Sequence, residues 1–153
     1  MTNLCGRCAG QRGGAVVELA LCLPILVLVV LGTGDFARVF YTSIALSDAA
    51  RAGAQYGAHS IAQSGDTAGI QSAAQGAVNV TGITASGSRS CYCAANDGAA
   101  FTAVACTATC SASHHLIVTV NVTASKTFTT TSLLSAFANS IPLTRTATMR
   151  VAN

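Results

Sequence analysis

Residues 13–18, Gly-Gly-Ala-Val-Val-Glu, and the apolar run at residues 19–31 decide the organisation of this chain. As an α-helix, residues 14–31 would be roughly 27 Å long at ~1.5 Å per residue, close to the ~30 Å hydrocarbon core of a bilayer. The sequence therefore predicts one membrane-spanning helix near the N-terminus. A single carboxylate, Glu18, lies near the start of this helix, where contact with lipid is costly.

The residues before the helix form a short basic leader. Arg7 and Arg12 are its only charged residues, and no acid offsets them. Because positive flanks stay on the cytoplasmic side, the N-terminus is expected there. We divide the chain into a leader (residues 1–13), a transmembrane helix (14–34) and a domain on the opposite side of the membrane (35–153).

Two other kinds of N-terminal segment fit the apolar run less well. A cleaved secretory signal needs small residues at −3 and −1 of the cut, and a cut after Ala37 would place Asp35 at −3. A lipoprotein signal would use Cys22, which lies mid-run behind the bulky Leu21. A retained single-pass anchor fits best. Pro24 removes a backbone donor and is expected to kink or loosen this helix.

A second helical segment follows the apolar run. Gly32 and Gly34 lower helix propensity, so a flexible joint is expected at the membrane exit. The apolar spacing beyond it is again helical and includes a four-residue stripe of small residues, Ala49, Gly53 and Gly57. Such stripes let another backbone approach closely. The partner could be the sheet of the same domain or a neighbouring subunit, and both remain open.

The remaining sequence is typical of an α+β domain. Apolar residues alternate with polar ones most clearly at residues 116–124, which predicts a strand with one covered face in an antiparallel sheet. In order, we predict a short helix capped by Asp66 or Thr67 and extending to about residue 77, a weak strand at 78–88, and a hairpin at 91–110 with its turn at residues 96–98. A strong strand at 116–124, a short helix at 133–139 ended by Pro142, and a last strand at 143–151 follow.

Four of the seven cysteines, Cys91, Cys93, Cys106 and Cys110, lie together in a polar region. Beyond a membrane segment, such a cluster suggests an oxidising compartment and two disulfides. A nested pairing, Cys93 with Cys106 and Cys91 with Cys110, would suit a hairpin, although four cysteines allow three pairings. Zinc is a weaker alternative, because no acid adjoins the cysteines and the compartment is expected to be non-cytoplasmic.

The sequence contains no recognisable catalytic motif. Its five acids are widely spaced, and Gly32 and Gly34 lack the third glycine of a dinucleotide-binding fingerprint. No hydrolase signature accompanies the serines. The net charge of +3 comes from scattered single residues, whereas a nucleic-acid footprint would need clustered basic residues. We therefore expect no enzymatic activity and no cofactor, metal, nucleic acid or small-molecule substrate.

Three segments together carry a family resemblance. Residues 12–21 (Arg-Gly-Gly-Ala-Val-Val-Glu-Leu-Ala-Leu), residues 23–26 (Leu-Pro-Ile-Leu) and residues 49–54 (Ala-Ala-Arg-Ala-Gly-Ala) resemble the TadE/TadG-like family. Its members are pseudopilins of the tight-adherence (Flp) type IV pilus machinery. Residues 144–151 resemble the family more loosely. TadG-like members are longer, so the chain length favours a TadE-like protein.

This resemblance implies a pilin-like fold, with a long transmembrane helix extending into a domain that has a small antiparallel sheet and a disulfide-stapled hairpin. It also implies that a prepilin peptidase cleaves on the cytoplasmic side between Gly13 and Gly14. The new amine of one subunit would then meet Glu18 of its neighbour. Leu19 departs from the family here, because Tyr or Phe often follows the glutamate.

The implied partners are the pilus platform proteins, sibling pseudopilins and the major pilin. The implied location is the bacterial inner membrane, with the C-terminal domain in the periplasm or carried into an extracellular pilus. The alternative is a membrane-anchored periplasmic scaffold or binding domain that is neither cleaved nor polymerised.

Overall fold

The structure, a computed structural model, describes residues 13–96, 101–129 and 140–152. Within these ranges the fold is α+β, as predicted from the sequence. Its elements are α1 (Gly14–Ala58), α2 (Ile61–Ser64), α3 (Thr67–Gly76), β1 (Thr84–Ala95), β2 (Phe101–Val104), β3 (His114–Thr129) and β4 (Ser140–Arg150). The helix predicted at residues 133–139, the turn residues 97–98 and residues 1–12 of the leader lie outside the described ranges.

Helix α1 continues without interruption from the apolar run into the domain. The helix is unbroken at Gly32 and Gly34, where a flexible joint is predicted, because a glycine costs a helix only about 1 kcal/mol. Pro24 also lies inside α1 and does not end it. The domain is therefore joined to the N-terminal segment by one continuous helix.

The two halves of α1 have different surroundings. Residues 13–31 are all exposed, whereas the buried positions of α1 lie between Asp35 and Gly57. Among the described elements, α1 is the one helix long and apolar enough to cross a membrane, and none of its most apolar window is buried inside the protein. The exposed apolar half is thus compatible with a single-pass membrane anchor.

The sheet has the strand order β2-β1-β3-β4, and every pairing is antiparallel. The central strand β3 pairs with β1 from Thr84↔Ser125 to Ala95↔His114. It pairs with β4 from Thr119↔Arg150 to Thr129↔Ser140 on its other side. Pro142, which was predicted to end a helix, lies inside β4, and an edge strand tolerates proline because one side of its backbone makes no ladder bonds.

Strand β1 begins later than predicted. The weak strand expected at residues 78–88 starts only at Thr84, after Gly82 adopts a positive φ of 76° that favours glycine. From there β1 continues through the first two cysteines of the predicted hairpin to Ala95. One long strand therefore connects the helix-packed part of the sheet to the disulfide region.

The alternation predicted for residues 116–124 is confirmed. Val120, Val122 and Ala124 are fully buried, and Thr119 and Thr123 on the opposite face are half-buried. The buried face packs against the C-terminal half of α1 and against α3, whose Ile70 and other apolar side chains join the same core. One sheet face is therefore covered by helices, as expected for this fold class.

The small-residue stripe of α1 lies inside this core. A Cβ added to Gly53 would lie 3.1 Å from Val122 Cγ1, and one added to Gly57 would lie 2.9 Å from Val120 Cγ1 and 3.1 Å from Ile70 Cδ1. Ala49 is fully buried on the same face. Of the two partners left open by the sequence, the stripe contacts the sheet and α3 of its own chain.

Replacing Gly57 with alanine tests this close approach. The added methyl group must displace Val120 or Ile70, and overpacking typically costs about 1–3 kcal/mol. Alanine recovers up to about 1 kcal/mol of helix propensity, so we expect a net loss of about 1–2 kcal/mol in the free energy of unfolding. Pulse proteolysis of the detergent-solubilised chain in urea measures this quantity.

Gly76→Ala is the matched control, because Gly76 is also helical and its added Cβ meets nothing within 4 Å. This control should leave stability unchanged or raise it. Equal effects of the two substitutions would contradict the packing described for Gly57.

Candidate assembly site on the N-terminal helix

The Gly13–Gly14 junction lies at the first residue of α1. Gly13 is the N-cap, has no side-chain capping bond, and accepts a hydrogen bond from the Val17 N–H at 3.3 Å through its carbonyl. A Cβ at either glycine would meet nothing within 4 Å. The bond predicted to be cut is therefore uncrowded by the described part of the chain and separates the cap from the first helical residue.

Glu18 lies one turn into α1 and is exposed. It is four residues after Gly14, so the two residues share one face and are about 6 Å apart along the helix axis. The neighbouring Val17 and Leu19 are 60% and 59% exposed, and residues 13–34 contain no other charge. The Glu18 carboxylate therefore lies in an apolar surface, and residues 13–34 provide no cation to pair with it.

The helix-packing residues predicted from the sequence fall into two groups. Pro24 belongs to the exposed half of α1, together with Leu23 and Ile25, which are 51% and 65% exposed. The stripe of Ala49, Gly53 and Gly57 is buried in the domain core, as described above. Of these predicted helix-packing residues, only Pro24 lies on a surface that is available for contacts with other molecules.

The four clustered cysteines form two disulfides, as predicted, but the nested pairing is wrong. The bonds join Cys91 to Cys106 and Cys93 to Cys110. The hairpin register explains this, because Val104 lies opposite Cys91 and Thr102 lies opposite Cys93. Cys106, two residues beyond Val104, is therefore diagonal to Cys91 and farther from Cys93 along the strand.

The disulfides also exclude a zinc site at these four cysteines, because every one of their sulfur atoms is in a disulfide bond. The two histidines that follow make loop contacts. His114 Nδ1 lies 2.8 Å from Ser111 Oγ, and His115 Nδ1 lies 3.2 Å from Asn96 Oδ1. Among the described residues, no group of three or more His, Cys, Asp or Glu is arranged to hold a metal ion.

A contact between Tyr56 and Asp66 was missed in the sequence. Asp66 caps α3, as one of the two caps predicted, by accepting the Gly69 N–H at Oδ1 (2.9 Å). Its Oδ2 accepts the Tyr56 hydroxyl at 2.8 Å. The Gly69 N–H, followed by the Tyr56 hydroxyl, lowers the pKa of Asp66 below its ordinary value of 3.8. This contact ties the end of α1 to the start of α3.

Taken together, these features define a class: an α+β protein with a long helix whose exposed, apolar N-terminal half is compatible with a single-pass membrane anchor and whose C-terminal half packs on an antiparallel sheet. The family model described as TadE-like protein matches residues 13–55. Over that segment the chain is similar to TadE-like proteins, and the resemblance predicted from the sequence is confirmed there.

The matched segment contains the Gly13–Gly14 junction, Glu18, the whole exposed half of α1 and most of its packed half. No curated protein and no solved structure matches the chain significantly. The similarity to the TadE-like family over residues 13–55 suggests a role in the Tad pilus system.

Proposed function

We propose that this chain is a non-catalytic minor pseudopilin that takes part in assembly of a tight-adherence (Flp) pilus. A prepilin peptidase would cleave it between Gly13 and Gly14. The mature chain would be held in the bacterial inner membrane by α1, with its sheet domain in the periplasm. The TadE-like match over residues 13–55, which includes the junction and Glu18, is the observation that carries this proposal.

Cleavage would supply a partner for Glu18 that the described residues do not provide. It would leave a free α-amino group on Gly14, about 6 Å along the axis from Glu18 of the same chain. A neighbouring helix displaced by about one turn would bring its own amine level with this carboxylate. In apolar surroundings, the carboxylate and the amine would each carry a desolvation penalty if they were alone. Pairing the two charges offsets much of that penalty.

The exposed half of α1 offers the surface for this packing. Its apolar side chains contact no other described element, so lipid, sibling pseudopilins or the major pilin can cover them. A helix that is apolar all round is suited to burial on every side. Platform proteins in the inner membrane are the expected partners during assembly.

The uncleaved periplasmic scaffold remains the second candidate, and Leu19 favours it. The family's frequent aromatic residue is missing at the position after Glu18. If Leu19 slows processing, Leu19→Tyr should increase the cleaved fraction in cells that contain a prepilin peptidase. An unchanged fraction would show that this departure has no effect on processing.

Deletion of the gene in its native host tests the proposed role. We expect fewer or no pili by electron microscopy, full recovery with the wild-type gene, and co-purification of the tagged chain with the pilus platform proteins. Normal piliation together with no association with the platform would overturn the proposal and favour the scaffold.

A further inference from the structure

Three exposed apolar side chains continue the apolar surface of α1 beyond the predicted span. Phe36, Phe40 and Ile44 are 72%, 60% and 48% exposed and recur every four residues. The rings of Phe36 and Phe40 stack on each other, with centroids 6.5 Å apart. We call these three residues the apolar ridge. Large exposed apolar side chains that are grouped on one surface, rather than scattered singly, indicate an interaction site.

The charged residues nearest to the apolar ridge lie away from it. Asp35 is buried in the domain. Arg38 is two residues from both Phe36 and Phe40, which places it on the opposite flank of α1 at ~100° per residue. There its guanidinium carbon lies 5.8 Å from the centroid of the Phe128 ring. The apolar ridge therefore suits an apolar partner.

The bilayer reaches only the start of the apolar ridge. With residue 34, the end of the predicted span, at the edge of the hydrocarbon core, Phe36 lies about 3 Å, Phe40 about 9 Å and Ile44 about 15 Å beyond that edge. Each headgroup layer is roughly 5–7 Å thick, given a ~30 Å core in a bilayer of ~40–45 Å. A helix tilt of about 20° shortens the largest distance only to about 14 Å. Most of the ridge thus projects beyond the lipid, where a protein can cover it.

The apolar ridge lies on the same face of α1 as Glu18. Phe36 follows Glu18 by 18 residues, which is about five turns at ~3.6 residues per turn. Helix α1 is continuous between them. A neighbouring helix that runs alongside α1 and meets Glu18 at one end therefore also faces the ridge.

The spacing of the ridge selects a second copy of this chain as the neighbour. Gly14 and Glu18, Phe36 and Phe40, and Phe40 and Ile44 are each four residues apart. A copy displaced by four residues, about 6 Å along the axis, brings its Gly14 amine level with Glu18. The same displacement brings its Phe36 level with Phe40, and its Phe40 level with Ile44. One displacement of an identical chain therefore satisfies all three pairings.

We propose that the apolar ridge packs against the ridge of a second copy of this chain, displaced by about 6 Å along α1. This inference rests on the pairing of Glu18 with a neighbour's amine in the proposed function. Aromatic rings of the two copies then pack beyond the membrane surface, at the depth where lipid no longer covers them. The ridge fixes the axial displacement that places the amine beside the carboxylate.

Cysteine cross-linking between two differently tagged forms of the full-length chain tests the displacement. One form carries Phe36→Cys and the other Phe40→Cys, with Cys22 and the leader cysteines replaced by serine in both. Helices about 8–10 Å apart bring level Cα atoms within disulfide reach, whereas an offset of about 6 Å puts same-residue pairs beyond it. After oxidation in native membranes, we expect the mixed disulfide to be the main product. Predominance of same-residue disulfides, or no cross-link at all, overturns the inference.

Self-association of the chain in lipid vesicles, followed by energy transfer between labelled copies, measures the contribution of the ridge. Burial of a phenylalanine side chain corresponds to about tenfold or more in an association constant, so Phe40→Ala should lower self-association by that factor. Tyr41→Ala is the matched control, because Tyr41 is 64% exposed but lies ~100° around the helix from Phe40. It should keep the wild-type association. Equal loss in both variants, or no loss in Phe40→Ala, contradicts the ridge contact.

A membrane-impermeant maleimide distinguishes the second copy from the bilayer as the cover of the ridge. In vesicles dilute enough to keep the chain monomeric, the Phe40→Cys form should react with reagent added on the side of the sheet domain. Its reaction should slow as the density of the chain is raised. Protection that is already complete in the monomer would assign the ridge to the bilayer and overturn the inference.

The mature N-terminus, determined in the cross-linked samples, separates this inference from the proposed function. A chain that retains residues 1–13 and still forms the mixed disulfide would contradict the amine pairing and support the ridge contact. A chain that begins at Gly14 and supports piliation without forming the mixed disulfide would contradict only the ridge contact.

Discussion

Glu18→Ala is expected to abolish assembly of this chain with its pilin partners while leaving it in the membrane. The substitution removes the only charge of residues 13–34, so insertion should be at least as efficient as before. Removing one partner of a buried ion pair typically costs about 3–5 kcal/mol because the other charge is left uncompensated. The expected loss in assembly equilibrium is therefore about 100-fold or more.

Pilus counts and recovery of the chain with sheared pili or platform proteins measure this effect. Asp48→Ala is the matched control, because it removes an exposed acid from the same helix outside the predicted span. It should leave both readouts unchanged. The mature N-terminus of the Glu18→Ala chain must be determined in the same samples, so that failed assembly is not confused with failed cleavage.

Unchanged piliation and unchanged association of the Glu18→Ala chain would contradict the pairing role. Glu18 would then be a carboxylate near a helix N-terminus, stabilised by the helix macrodipole and by water at the membrane edge. That outcome would be consistent with a membrane anchor. It would remove the argument that Glu18 pairs with the α-amino group of a neighbouring subunit.

Loss of the Cys91–Cys106 disulfide is expected to be the largest single destabilisation of the sheet domain. The bond closes a loop with a sequence separation of 15, for which loop-closure entropy gives about 3 kcal/mol. Cys91 is also only 3% exposed and belongs to the core that contains Val118 and Val120. Replacing both Cys91 and Cys106 with alanine should therefore lower the free energy of unfolding by about 3–5 kcal/mol.

The second disulfide provides the matched comparison. Cys93–Cys110 has a similar sequence separation of 17, but both of its cysteines are only half-buried. Replacing both Cys93 and Cys110 with alanine should lower the free energy of unfolding by about 2–3 kcal/mol, again measured by pulse proteolysis in urea. Equal losses from the two pairs would contradict the extra contribution assigned to burial of Cys91.

Non-reducing peptide mapping checks the connectivity itself. The chain must be cut after Tyr92, between Cys93 and Cys106, and again between Cys106 and Cys110, since all three cuts are needed to separate the three pairings. Recovery of a Cys93–Cys106 peptide would restore the nested arrangement and contradict the hairpin register. Free thiols at all four of these cysteines in protein isolated from cells would contradict the proposed periplasmic location.

Features set by local pattern were predictable from the sequence. The length and uniform apolarity of residues 14–31 predict a membrane-length helix, and the two-residue alternation at 116–124 predicts a half-covered strand. The helix cap at Asp66 follows from its side-chain chemistry and position. Each of these depends on residues that are close neighbours in the chain.

Features set by tertiary contacts were not predictable. The disulfide pairing depends on the register that places Val104 opposite Cys91. The partner of the small-residue stripe depends on β3 crossing beneath Gly53 and Gly57.

The mature N-terminus tests the central claim most directly. The chain should be purified from native membranes of a host with an active prepilin peptidase, and its intact mass and N-terminal peptide measured. We expect a chain that begins at Gly14, with residues 1–13 removed. A chain that still begins at Met1 would contradict processing, deprive Glu18 of the proposed amine, and leave the uncleaved periplasmic scaffold as the better account.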